Sequence, residues 1–339
     1  MALSRFTRQF PDRLPFVAAG MAFVGETAPL CVATCRAGGI GAIAGSFIGP
    51  ERLAAVIDEV RSQTDAPFHV NLLVNFPHDD LIKVLVAKRV PLVSFHWGLS
   101  SPENRAKLKA AGIGLWVQVG DEAGARAALE AGADGLIAQG LEAGGHNLGT
   151  LPLLEFLPRL TGLVGGRLLI AAGGIADGEG MAAALASGAD AVWVGTALVV
   201  TDECDAHDEY KARLVAAGGD CTERTCVYGP ENMHFNPIRM LRNDTIRHWH
   251  HRVADIPADR SNLAAYGKAR FGGHIAPVRP HDAFVPARET EGDFDLMPLL
   301  AGQGVGLVRA VEPAGTLINR MCREAAALLQ NHPPPNGKA

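Results

Sequence analysis

The sequence predicts an α/β fold, a (β/α)8 TIM barrel with a small, mainly helical insertion domain after the eighth strand. Three observations lead there. Eight short apolar runs begin at residues 15, 39, 68, 92, 114, 135, 168 and 191, at intervals of 21 to 33 residues. Each is apolar on both faces and bounded by Gly or Pro, as strands covered on both sides of a parallel sheet are. Segments with helix signals separate them. Eight β–α units in a row favour a closed barrel, with an open doubly wound sheet as the other arrangement of the same units.

The strands are PFVAAG (15–20), GIGAIAG (39–45), FHVNLLV (68–74), LVSFHWG (92–98), GLWVQV (114–119), GLIAQG (135–140), LLIAAGG (168–174) and AVWVGTAL (191–198). The helix over 50–64 opens on Pro50, a residue suited to a first turn. Ser101, Pro102 and Glu103 open a helix that Gly112 can end. The alanine-rich stretches 121–132 and 178–188 have high helix propensity. They share an Ala-Ala-Leu…Gly-Ala-Asp echo that leads into a strand each time. Residues 202–266 are more charged, richer in His and Arg, and read as the helical insertion. Residues 1–201 and 267–330 then form the barrel, closed by an amphipathic helix over 311–330. The tail, 331–339, reads as disordered.

With 339 residues, 48% of them hydrophobic, the chain has ample material for a large core. A net charge of −5 and 6% aromatic residues argue against nucleic acid and anionic membranes as partners. No run reaches the roughly 20 apolar residues of a membrane span. The N-terminal segment lacks the apolar stretch of a signal peptide, and six cysteines without a CxxC pair read as buried free thiols. The expectation is a cytoplasmic protein, with a homodimer as a possible assembly.

In a barrel, chemistry gathers at the carboxyl ends of the strands. There the sequence places Gly20 and Met21, Asn71, His96, Gln118, Gln139, the loop Gly144-Gly145-His146, then Gly173-Gly174, and finally Trp193-Val194-Gly195-Thr196. Glycine loops after the last two strands expose backbone N–H groups that suit a phosphate. No lysine lies on a strand, no His-x-His follows the first strand, and carboxylates do not cluster at the strand ends. A Schiff-base aldolase and a metal-dependent hydrolase are therefore disfavoured, and no metal is expected. An amide-rich, uncharged pocket suits a heteroaromatic ring, and flavin mononucleotide (FMN) fits ring and phosphate together. His146, on a loop of the functional face, is the catalytic candidate. His69 reads as structural, His96 as ambiguous, and the run from His248 to His251 as a solvated helix face.

These motifs carry a family resemblance. AQGLEAGGHNLG (138–149) and IAAGGIADGEGMAAALASGADAVWVGTALV (170–199) resemble the nitronate monooxygenases, formerly 2-nitropropane dioxygenases. So do the opening PFVAAGMAFVGETAPLCVATCRAGGIGAIAG, the VSFHWG run, RMLRNDTIRHW (239–249) and LLAGQGVGLV (299–308). The resemblance spans most of the chain. It implies an FMN-dependent enzyme that oxidises alkyl nitronates of the propionate 3-nitronate type with O2. Gly20 and Met21 would back the flavin ring, with Asn71, Gln118 and Gln139 hydrogen-bonding it. Gly144, Gly173 and Gly174 would line ring and phosphate, and Trp193, Val194, Gly195 and Thr196 would complete the phosphate side. His146 matches the family's active-site histidine. The chain departs from the pattern at Ala19-Gly20-Met21, where many members have Ala-Pro-Met, and at Trp193-Val194, where relatives often have Gln-Met. Two other readings stay open: an FMN-dependent NAD(P)H reductase acting on a quinone or enoyl thioester, and a non-redox barrel that holds a phosphate ligand.

Overall fold

A computed structural model describes residues 4–231, 236–271 and 274–331. The expectation for the tail falls outside these residues, except for Asn331, which ends the last helix. The barrel strands are β1 (Phe16–Ala18), β2 (Gly41–Ala44), β3 (Phe68–Leu73), β4 (Leu92–His96), β5 (Gly114–Val119), β6 (Gly135–Gln139), β8 (Leu168–Ala172) and β9 (Ala191–Val194). A two-residue strand, β7 (Gly145–His146), interrupts the series. All eight runs of the sequence thus become strands, in the parallel order β1-β9-β8-β6-β5-β4-β3-β2. A parallel bridge between Val17 and Ile40 joins the two ends of that order and closes the barrel.

Strand alternation divides the buried side chains into two cores. Val17, Ile40, Trp116, Ile137, Ile170 and Trp193 fill the interior of the barrel. Their neighbours in sequence, such as Val192 and Val194, point outward to the helices. The first described helix (Arg5–Gln9) plugs the amino-terminal mouth: Phe6 is fully buried, and Phe10 meets the Trp116 ring edge-on at 6.1 Å. Ser4 caps this helix by accepting from the Thr7 N–H. Arg5 ties it to Asp190 at 2.9 Å, beneath β9. That end is sealed, so ligands enter at the other.

The expected helices form as Pro50–Arg61, Pro102–Ala110, Glu122–Glu130 and Gly178–Ala186, the last three capped by Ser101, Asp121 and Asp177. The last helix (Ala314–Asn331) buries Leu317, Ile318, Met321 and Ala325, one stripe at helical spacing. It packs so closely on the Gly178–Ala186 helix that a Cβ on Gly178 would come within 2.3 Å of Glu324.

The segment 202–266 mixes helices with two short strands that the sequence reading does not anticipate. Its described residues hold helices Asp208–Ala216 and Asp244–Trp249 and the 3-10 turn Val253–Asp255, and also strands β10 (Thr222–Thr225) and β11 (Ile238–Leu241). β11 pairs antiparallel with both β10 and β7, so the insertion is stitched to the His146 loop. Four-residue strands give too little periodicity to be read locally, and the pairing that makes them strands is long-range. The Gly/Pro-rich stretch that follows forms a hairpin, β12 (Gly267–Phe271) and β13 (His274–Val278), flanked by β14 (Glu291–Gly292). All six cysteines are free thiols, but only Cys31, Cys35 and Cys204 are buried; Cys221, Cys226 and Cys322 are half-buried, which corrects the expectation for those three. Among the described residues no helix is long and apolar enough to cross a membrane.

Candidate active site

A cavity of about 480 Å³ opens at the carboxyl ends of the barrel strands. Gly20, Met21, Asn71, Gln118, Gln139, Gly144, His146, Gly173, Gly174, Trp193, Gly195 and Thr196 all line it. Val194 does not. It is the outward member of its strand pair, and its side chain packs in the shell between barrel and helices instead of facing the cavity.

Below the cavity a chain of hydrogen bonds runs inward from Asn71. Its Nδ2 donates to Ser94 Oγ at 2.9 Å. Ser94 Oγ lies 3.0 Å from His69 Nδ1, and His69 Nε2 lies 2.9 Å from the Ala18 carbonyl. A carbonyl only accepts, so Nε2 carries the proton and Nδ1 takes the Ser94 hydroxyl hydrogen. Ser94 Oγ is then left as an acceptor, which fixes the Asn71 amide with Nδ2 inward. His69 lies against Trp193 with centroids 4.6 Å apart and the rings tilted by 31°, and burial pushes its pKa down to about 4. It is structural, as expected, and it sets the orientation of a residue in the cavity wall.

The His146 loop is held from several sides. Gln139 Nε2 donates to the His146 carbonyl at 2.9 Å, and Gln139 Oε1 accepts from the Leu148 N–H at 2.9 Å. Both polar atoms of this side chain thus hold the loop. Asn147 Nδ2 donates to the carbonyls of Leu141 and Ala143, each at 2.9 Å. Two glycines are required by geometry. Gly145 has φ +71°, and a Cβ on Gly144 would sit 2.4 Å from the Gly302 nitrogen.

His96 resolves as a cavity residue. Its ring is 4.5 Å from that of Trp97, which in turn meets the His146 ring edge-on at 4.5 Å. Trp97 adopts φ +67°, a conformation rare for a bulky residue, and this turn inserts its ring between the two histidines. Burial pushes the His96 pKa down to about 3, so the ring is neutral at physiological pH; a hydrogen bond to Gln118 opposes the shift in part. Its Nε2 is buried with no partner in the protein. A buried polar atom left unpaired at a cavity is what a polar ligand would satisfy. The strand-end rule that selected Asn71 applies equally to His96, but a lone histidine within an apolar run carries no further signal. The aromatic residues Phe23, Phe47, Phe76, Phe271 and Phe284 also line the cavity and lie outside the expected site. Four come from separate loops and Phe271 ends β12, and no local motif unites them.

His248 and His251 are exposed, while Trp249 and His250 are half-buried where the helix ends. No group of His, Cys, Asp or Glu among the described residues is arranged to hold a metal.

Fold and cavity together define a (β/α)8-barrel enzyme with an amide- and histidine-lined site at its open mouth. The nitronate monooxygenase family profile matches residues 5–81 and 76–324. The chain belongs to that family and is an oxidoreductase of its flavin-dependent type. It is 30% identical to the nitronate monooxygenase of Pseudomonas aeruginosa, over 94% of this chain and 98% of that protein. It is 35% identical to a Mycobacterium tuberculosis enzyme named as a hydroxy-methyl-oxo-octahydroindene-carboxyl-CoA dehydrogenase, over 68% of this chain and 64% of that one. Among solved structures, a nitroalkane oxidase from Streptomyces ansochromogenes superposes with a TM-score of 0.79 at 30% identity, covering 97% of this chain and all of the other. FabK from Thermotoga maritima superposes with a TM-score of 0.78 at 30% identity, covering 98% of each.

Proposed function

We infer that this chain uses FMN to oxidise alkyl nitronates with molecular oxygen. The observation that carries the reading is the histidine pair, His96 and His146, set about Trp97 in a cavity whose other polar walls are side-chain amides. The donor set suits a flavin. The Asn71 amide, with Nδ2 turned inward, offers Oδ1 beside Gly20 as an acceptor for a ring N–H. Gln118 and the unpaired His96 Nε2 add further polar atoms. Gly195 is the residue of the phosphate side with space: a Cβ there would lie 3.5 Å from Ala19 and 4.0 Å from the Met21 sulfur, both cavity residues.

Bound flavin supplies the electron acceptor and the reactivity toward O2. The protein supplies placement. A nitronate is already a carbon acid without its proton, so the site needs to orient an anion more than to ionise it. His146 can donate to a nitronate oxygen, and with a neutral nitroalkane it can accept the α-proton. Gln139 and Asn147 keep the loop fixed while it does so.

The visible spectrum of the purified protein, before and after anaerobic addition of ethyl nitronate, tests this reading. The expected result is a yellow protein whose absorbance bleaches with nitronate and recovers in air, with FMN as the cofactor released on denaturation. Bleaching by NADH but not by nitronate would favour the reductase reading, and the likeness to FabK keeps that comparison necessary. A colourless protein would leave the phosphate-binding barrel.

A further inference from the structure

The mouth of the cavity is chemically unlike its floor. Phe47 is the centre of an aromatic cluster: its ring lies 5.3 Å from Phe23, 4.8 Å from Phe76 and 5.5 Å from Phe271. Phe284 extends the cluster, 5.3 Å from Phe271 and 5.9 Å from Phe23. All five rings line the same cavity as His96 and His146.

One of them is held there against its backbone preference. Phe23 has φ +70°, unusual for a bulky side chain. Its N–H donates to Glu26 Oε1 at 2.8 Å, and burial pushes the Glu26 carboxyl above its ordinary range. A strained residue maintained by a buried acceptor, with its ring in a cavity wall, marks a wall whose shape matters.

Charge at the mouth points the same way. Among the described residues no lysine or arginine lines the cavity, whereas Glu231 and Asp282 do. The Arg260 guanidinium is committed to Glu231 at 2.9 Å. Propionate 3-nitronate carries a carboxylate as well as the nitronate. Its second charge would be buried among phenyl rings and carboxylates, where among the described residues the wall offers no cation and the nearby Arg260 and Arg279 already offset Asp282, which is unfavourable.

We propose that the Phe47 cluster is a subsite for the hydrocarbon chain of the substrate, and that this enzyme prefers nitronates bearing an extended, uncharged alkyl chain over propionate 3-nitronate. The inference rests on the nitronate reading above and names the substrate class for it. The polar floor takes the reacting end, and the phenyl rings take the tail.

The experiment measures kcat/KM of the holoenzyme for propionate 3-nitronate and for primary alkyl nitronates from two to eight carbons. Binding of butanol, hexanol and octanol by calorimetry gives a readout independent of turnover. The expected result is a rise in kcat/KM of about two- to fourfold for each added methylene, with the longer chains exceeding propionate 3-nitronate and the alkanols binding in the same order. Phe47→Ala should flatten both series, and Phe76→Ala gives the same test should the first variant fail to fold. A flat chain-length profile, or a preference for propionate 3-nitronate, overturns the proposal while leaving nitronate oxidation in place. If no nitronate is turned over, that reading fails, and alkanol binding then decides the subsite alone: tightening with length supports it and no trend overturns it.

Discussion

The Gln139 side chain holds His146 by the backbone: its Nε2 donates to the His146 carbonyl at 2.9 Å, while its Oε1 accepts from the N–H of Leu148, two residues further on. A side chain at the end of a barrel strand thus clamps the loop that carries the candidate base. Gln139→Leu removes both bonds and should lower turnover by about tenfold or more, since small misplacements of a catalytic group are costly. Flavin content should fall less than turnover, because both polar atoms of Gln139 bond the loop. Parallel assays of turnover and flavin content check this, and loss of flavin with little change in turnover per bound cofactor would contradict it.

His146→Ala removes a side chain from a loop at the mouth and should leave the barrel folded. The expected outcome is a yellow protein with turnover lowered by about a hundredfold, in the range typical of losing a proton-handling side chain. Steady-state assays with ethyl nitronate decide it. Undiminished turnover would remove His146 from the reaction.

Glycine substitutions separate binding from folding. A Cβ on Gly195 has space beside Ala19 and Met21. Gly195→Val should therefore reduce FMN content with little change in thermal stability. Gly173 has φ +121°, and a Cβ would lie 3.1 Å from the Ala143 nitrogen. Gly173→Val should lower the melting temperature whether or not cofactor is bound. Thermal melts of apo and holo forms tell the two cases apart, and equal destabilisation in both variants would count against placing Gly195 at the ligand.

Acid should weaken the fold through His69. Its folded pKa, about 4, lies below the ordinary 6.5. Between those values the unfolded chain binds the proton and the folded chain does not, so the contribution is complete above pH 6.5 and is lost as pH falls toward 4. The shift corresponds to about 3 kcal/mol at most. Urea midpoints measured from pH 7 down to pH 4.5 should fall, and His69→Gln, less stable at pH 7, should show a shallower fall. Parallel slopes for the two proteins would exclude His69 as the source.

Much of this was legible in the sequence because it is local. Gly- and Pro-bounded runs mark every barrel strand, and the carboxyl-end rule selects Asn71, Gln118, His146 and Gly195. Val194 adjoins Trp193 in one motif, yet adjacent strand residues face opposite ways, so its side chain does not line the cavity. His96 was undecided because only the turn at Trp97 reveals that its ring faces the site. The strands β10 and β11 and the Phe47 cluster depend on partners far away in the chain, and no periodicity records such partners.

The pairing of β11 with β7 makes the insertion and the histidine loop one mechanical unit. Ile238 sits opposite His146, and Arg239 opposite Gly145. Swinging the 202–266 segment away as a cover would peel this ladder apart and release the histidine loop with it, so passage and chemistry would compete for the same strand. The β12–β13 hairpin, which carries Phe271, pairs with neither β7 nor β11. His146 and the Phe271 side of the cavity are therefore held by separate ladders.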